Sequence, residues 1–158
     1  MAASFIDKRI SPHFFLSEFL VTQHRELNNT PPPELMDNCY FLADRMEIIR
    51  SALNNAPITA TSVYRSPAVN RAVGGSIDSD HMKFLACDFI CPSFGTPLEI
   101  CRFIDTMGCR ELFRFDQLIY EFTWVHIGFK RTIPMRQQVM TVQQTAGQRP
   151  TYINGLPK

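Results

Sequence analysis

The sequence predicts an α+β domain, a small antiparallel sheet with helices packed on one face. Three observations carry this. Between Glu34 and Leu53 the residues Leu35, Met36, Cys39, Phe41, Leu42, Met46, Ile49 and Leu53 recur at steps that build one apolar helical stripe. After Pro57 the chain switches to short runs rich in β-branched and aromatic residues, the composition of strands. Only Phe122 and Thr123 separate Glu121 from Trp124, which favours a hairpin over a parallel crossover. Helices come first and strands follow with one helix among them, an order suited to helices covering one side of a sheet.

Each element has its own signal. Ser17, with Glu18 behind it, is the expected N-cap of a short first helix. Asn28 to Pro33 contains three prolines, which cannot sit inside a helix, and serves as a linker. Asn54 to Pro57 ends the long helix. Strands are expected at 58–64 and 85–91, and Gly74, Gly75 and Ser76 mark a tight loop between them. Thr96 is placed to cap a helix over 97–107, with Gly108 near its end. Further strands are expected at 117–122, 124–129 and 136–143. Residues 1–10 and 146–158 are expected to be peripheral or partly frayed around a single domain spanning 1–158.

Composition narrows the class. The chain has 158 residues, is 45% hydrophobic and 20% charged, and needs neither metal nor disulfide to build a core. A net charge of +1 argues against a chain-wide nucleic-acid footprint. No apolar run approaches the ~18 residues of a membrane span. Five cysteines at irregular spacing, behind a start without a secretory pattern, are expected to be reduced and buried.

Chemistry concentrates in three polar residues on apolar segments. Asp88 interrupts the run from Leu85 to Cys91, and a carboxylate buried there needs a partner, a cation or a metal. His81 lies seven residues upstream on the lead-in loop, and His126 stands in the apolar run Trp124 to Phe129. Imidazole and carboxylate are zinc ligands, and three of them with an open fourth position suit a catalytic ion. Spacing by itself leaves open that these are ordinary buried histidines with satisfied hydrogen bonds.

The surrounding residues add a resemblance. Ser62 to Pro67, Asn70, Gly74-Gly75-Ser76, Ser79-Asp80-His81, Ala86-Cys87-Asp88-Phe89 and Trp124-Val125-His126 stand in the order and spacing of a known family. The chain resembles the zinc D-Ala-D-Ala carboxypeptidase family, of hedgehog-like metallopeptidase fold, and its phage L-alanyl-D-glutamate endopeptidase relatives. These cut bacterial peptidoglycan stem peptides, and their motif is S-x-H-x-x-G-x-A-x-D followed by W-H or W-x-H. The likeness extends over residues 11–156. It implies a zinc cleft on the sheet, with His81, Asp88 and His126 as ligands to Zn2+. It implies that Arg65 engages a substrate carboxylate or carbonyl oxygen, as a guanidinium suits, and that Ser79 orients the zinc loop or touches substrate. It implies action on the cell wall after phage or prophage lysis or from a virion; a start without a secretory pattern leads to the expectation of synthesis in the cytoplasm without a signal peptide, and a zinc cleft complete within one chain to that of a monomer.

Two positions depart from the pattern. Many relatives carry an acid three residues before the last histidine, where this chain has Thr123. Glu121 is then the expected catalytic base, with Asp116 as the alternative. Phe84 stands where the motif has glycine. If that glycine serves a positive φ, a phenylalanine is strained there. These departures motivate a second expectation, a zinc-retaining but catalytically impaired structural or binding module. A metal-free interaction protein is the third.

Overall fold

The computed structural model describes residues 7–107 and 114–158. The predicted helix end at Gly108, and Cys109, lie outside the described residues. Among the described residues, four helices and six strands follow in the order α1 (Leu16–Phe19), α2 (Met36–Ala52), β1 (Thr59–Ser62), α3 (Pro67–Ala72), β2 (Ala86–Ile90), α4 (Pro97–Met107), β3 (Gln117–Tyr120), β4 (Val125–Gly128), β5 (Gln138–Gln143) and β6 (Thr151–Asn154). Short 3-10 turns cover Pro33–Leu35 and Asp80–Lys83. The α+β class stands.

The strands form one sheet in the order β1-β2-β4-β3-β5-β6. All neighbours are antiparallel except β3 and β5, which run parallel, so the sheet is mixed. The reason is local. β4 ends at Gly128 beside the start of β3, and the chain then steps past β3 to begin β5 opposite Gln117. A parallel pair arises without a long crossover, because the strand preceding β5 is β4 rather than β3.

Alternation along the strands divides the sheet into two faces. Cys87, Phe89, Leu118, Val125 and Ile127 join Cys39, Leu42, Met46 and Ile49 of α2 and Ile100, Cys101 and Ile104 of α4 in one core. Cys39, Cys87, Cys91 and Cys101 are buried and free. The opposite face carries Ser62, Asp88, His126, Ile119, Met140 and Asn154 in one row across the sheet.

One local expectation is corrected, and two elements are added to the reading. Ser17 is not an N-cap: Phe15 takes that position, its N–H donating to the Glu18 carboxylate at 2.7 Å, while the Ser17 hydroxyl bonds Asp7. After Arg65 the chain enters a short helix with its own cap. Ser66 caps α3 by accepting from Val69 N–H, and Pro67 opens it. The C-terminal stretch contains β6, held by antiparallel pairing to β5, by Gly155 N–H on the Val139 carbonyl at 2.9 Å, and by the Arg102 guanidinium on the Pro157 carbonyl at 2.9 Å. By contrast, Thr96 caps α4 as its sequence position predicts, its hydroxyl accepting from Glu99 N–H while the Glu99 carboxylate takes the Thr96 N–H at 2.7 Å.

Candidate metal centre

Register alone brings two of the three candidate ligands together. Asp88 on β2 is the direct partner of His126 on β4, so both side chains leave the sheet on the face away from the helices. His81 arrives from the 3-10 turn. Ser79 accepts the His81 N–H at 3.3 Å to start that turn, and the Arg65 N–H donates to the His81 carbonyl at 3.2 Å.

The side chains converge. His126 Nδ1 lies 2.8 Å from Asp88 Oδ1, and His81 Nε2 lies 3.3 Å from both. Ligands about 2.0–2.1 Å from a tetrahedral zinc sit roughly 3.3 Å from one another. His81 Nδ1 is 2.7 Å from the Val63 carbonyl, which can only accept, so the proton is on Nδ1 and the Nε2 lone pair faces the centre. Burial, set against the charge of Asp88, keeps the His81 pKa below its ordinary value and the ring neutral. Burial would raise the Asp88 carboxyl, but His81 and His126 outweigh it and hold it far below the carboxylate range. The donor set of two imidazoles and one ionised carboxylate therefore fits zinc, and these three residues could hold the ion.

A second layer fixes the first. Arg65 Nη2 donates to Asp88 Oδ2 at 2.7 Å and Arg65 Nε to the Ser62 hydroxyl at 2.8 Å, leaving Asp88 Oδ1 toward the histidines. Lys130 Nζ binds both oxygens of Asp80, beside His81, at 2.8 and 2.7 Å. Sequence reasoning missed the Val63 carbonyl and the Lys130–Asp80 pair. Both depend on chain segments meeting across the fold.

A family comparison completes the geometry. The model of the family described as Peptidase M15 matches residues 12–128, well over half of the chain. The chain belongs to the Peptidase M15 family. No curated protein matches the chain. M15 peptidases are metallopeptidases, typically of zinc, and the His81, Asp88 and His126 cluster lies inside the matched span.

The two departures from the motif can now be placed in this M15 peptidase. Glu121 follows β3, its N–H donating to the Trp124 carbonyl at 3.2 Å across a turn in which Phe122 has φ of 61°. Since Ile119 pairs with His126, Glu121 lies one step along the same face. Burial first and the charge of Asp88 second push its carboxyl above the usual range, while His126 and Arg65 pull the other way. Thr123 lies in the exposed turn. Asp116 is taken up elsewhere: Arg136 holds its Oδ2 through Nε at 3.0 Å and Nη2 at 2.5 Å. Phe84 has φ of 54° and ψ of 39°, the left-handed conformation for which the motif keeps glycine. Its ring is fully buried and stacks on Tyr64 with 4.7 Å between centroids.

Proposed function

We propose that this M15 peptidase hydrolyses an amide bond in peptidoglycan stem peptides, as a D-Ala-D-Ala carboxypeptidase or an L-Ala-D-Glu endopeptidase. The observation that carries the reading is the convergence of His81, Asp88 and His126 with Glu121 one step along the same sheet face. The peptidoglycan substrate, and with it an endolysin-type setting, is supported by the motif likeness in the sequence.

His81, Asp88 and His126 would hold the metal. Bound there, zinc would supply Lewis acidity and bring the pKa of a water at its open position toward ~7. Glu121 takes the proton from the attacking water and returns it to the leaving amine, a role suited by a carboxyl whose pKa is raised by burial and the nearby Asp88 charge. Arg65 spends Nη2 and Nε on Asp88 and Ser62, and its remaining donors bind the substrate carboxylate or the carbonyl oxygen that gains charge. Ser79 acts by capping the turn that presents His81. The left-handed Phe84 supports an active enzyme over an impaired module, since it keeps the turn a glycine would make.

The test is zinc content by elemental analysis together with digestion of purified sacculi, on wild type, His81→Ala and Glu121→Gln. The expected result is one zinc per wild-type chain with peptides released, both lost in His81→Ala. Glu121→Gln should keep zinc and lose about a thousandfold in turnover. Stoichiometric zinc with intact sacculi would overturn the peptidoglycan assignment.

A further inference from the structure

The face that carries the metal centre continues beyond Glu121 into the C-terminal hairpin. Register sets Val142 of β5 level with Glu121, through the parallel pairs Ile119–Met140 and Tyr120–Thr141. Tyr152 of β6 is the direct partner of Val142. Trp124, Glu121, Val142 and Tyr152 therefore form a row next to that of Asp88, His126, Ile119 and Met140. With strands about 4.8 Å apart, the backbones of Glu121 and Tyr152 are about 10 Å apart.

Val142 lies between them and Ile119 and Met140 lie in the neighbouring row, so this part of the face is apolar. Ile119, Met140 and Val142 are buried, yet none of them belongs to the helix-side core. Tyr152 stands at the far edge, 49% exposed, an aromatic body with a polar tip. We propose that Tyr152 is a substrate-contacting residue of this peptidase, its ring walling the cleft opposite the metal centre and its hydroxyl donating to a carbonyl or carboxylate of the bound peptide. The inference rests on the peptidase reading above.

Two further observations agree with it. Burial raises the phenol pKa, and the charges of Glu121 and Asp88 raise it further, so the hydroxyl stays a donor at neutral pH and lies within electrostatic reach of the site. The hairpin is also fixed: the Thr141 hydroxyl donates to the Gly155 carbonyl at 2.7 Å, and Gly155 N–H holds Val139. Tyr152 lies beyond the family-matched residues 12–128.

The experiment compares zinc-loaded wild type, Tyr152→Phe and Tyr152→Ala for zinc content, KM and kcat on purified stem peptides. Peptide affinity is measured separately by calorimetry in the Glu121→Gln background, where turnover is silent. Loss of one hydrogen bond in Tyr152→Phe should raise KM about three- to tenfold with kcat within about twofold. Tyr152→Ala should raise it by more than about tenfold, with affinity falling in parallel and zinc content unchanged. KM and affinity within about twofold of wild type in both variants would overturn the assignment. So would a loss of zinc in Tyr152→Ala with Tyr152→Phe unaffected, which would make the ring a structural prop. If wild type neither binds nor cleaves stem peptides, the peptidoglycan reading fails and the Tyr152 assignment falls with it.

Discussion

Phe84 turns a rule of backbone sterics into a measurable quantity. Its left-handed φ costs a non-glycine residue about 1–2 kcal/mol. Its buried ring, stacked on Tyr64, is worth about 3–5 kcal/mol against truncation. Burial wins, so Phe84→Gly should lower stability by about 2 kcal/mol while keeping stoichiometric zinc, as read by chemical denaturation and metal analysis. A more stable variant would show that the strain dominates. The need for a positive φ was legible in the sequence, because a phenylalanine stood at a glycine position. The stacking partner was not, since Tyr64 reaches Phe84 only through folding. Arg65 shows the same division. The sequence marked it for substrate, and the structure adds a grip on Asp88 Oδ2 at 2.7 Å. Arg65→Ala should therefore weaken zinc binding about 10- to 100-fold in a chelator competition. Unchanged zinc affinity would confine Arg65 to the substrate.

At the level of elements, period and composition located the long helix, α4 and five of the six described strands, because most of them bury a face and are patterned for it. What they missed was held by side-chain bonds or by edge pairing. β6 has the burial of an exposed edge strand, so no apolar alternation announced it. Helix α3 is six residues long, too short for a periodic signal, and starts on Ser66 and Pro67. Its placement depends on Asn29. That one amide donates to the Leu20 and Tyr64 carbonyls, both at 3.1 Å, and accepts the Ser66 N–H at 2.8 Å. It ties the proline-rich linker, the exit of β1 and the start of α3, and so the backbone beside Arg65. Asn29→Ala should cost about 2 kcal/mol, since three partly buried partners lose their bonds together. Asn28→Ala, next to it, removes only an exposed bond to Thr30 N–H and should be nearly neutral. Equal effects in the two variants, measured by thermal unfolding, would remove Asn29 from this role.

Across the whole molecule, one end of the sheet is linked to the metal loop by a chain of charges. Arg136 holds Asp116 at the start of β3, Lys130 lies 3.9 Å from Asp116, and Lys130 also clasps Asp80 beside His81. Asp116 is 2% exposed. Burial alone would raise its carboxyl, but hydrogen bonds from Arg136, then the charges of Arg136 and Lys130, hold it below the usual range. A carboxyl depressed in the folded state binds its proton more readily when unfolded, so its stabilisation is complete above the unfolded pKa near ~4 and drains away as pH falls through the folded value. Asp88 is depressed in the same direction and adds to the loss. Wild type should therefore lose thermal stability steadily below about pH 4. Asp116→Asn removes the charge and leaves Arg136 without its partner. Because Arg136 itself is half exposed, the cost at pH 7 should be about 2 kcal/mol, under the range for a fully buried pair. The difference between variant and wild type should then shrink as the pH falls and the wild-type carboxyl takes up its proton. A constant difference from pH 7 to pH 2 would mean that shape and hydrogen bonding at Asp116, rather than its charge, hold this end of the sheet to the metal loop.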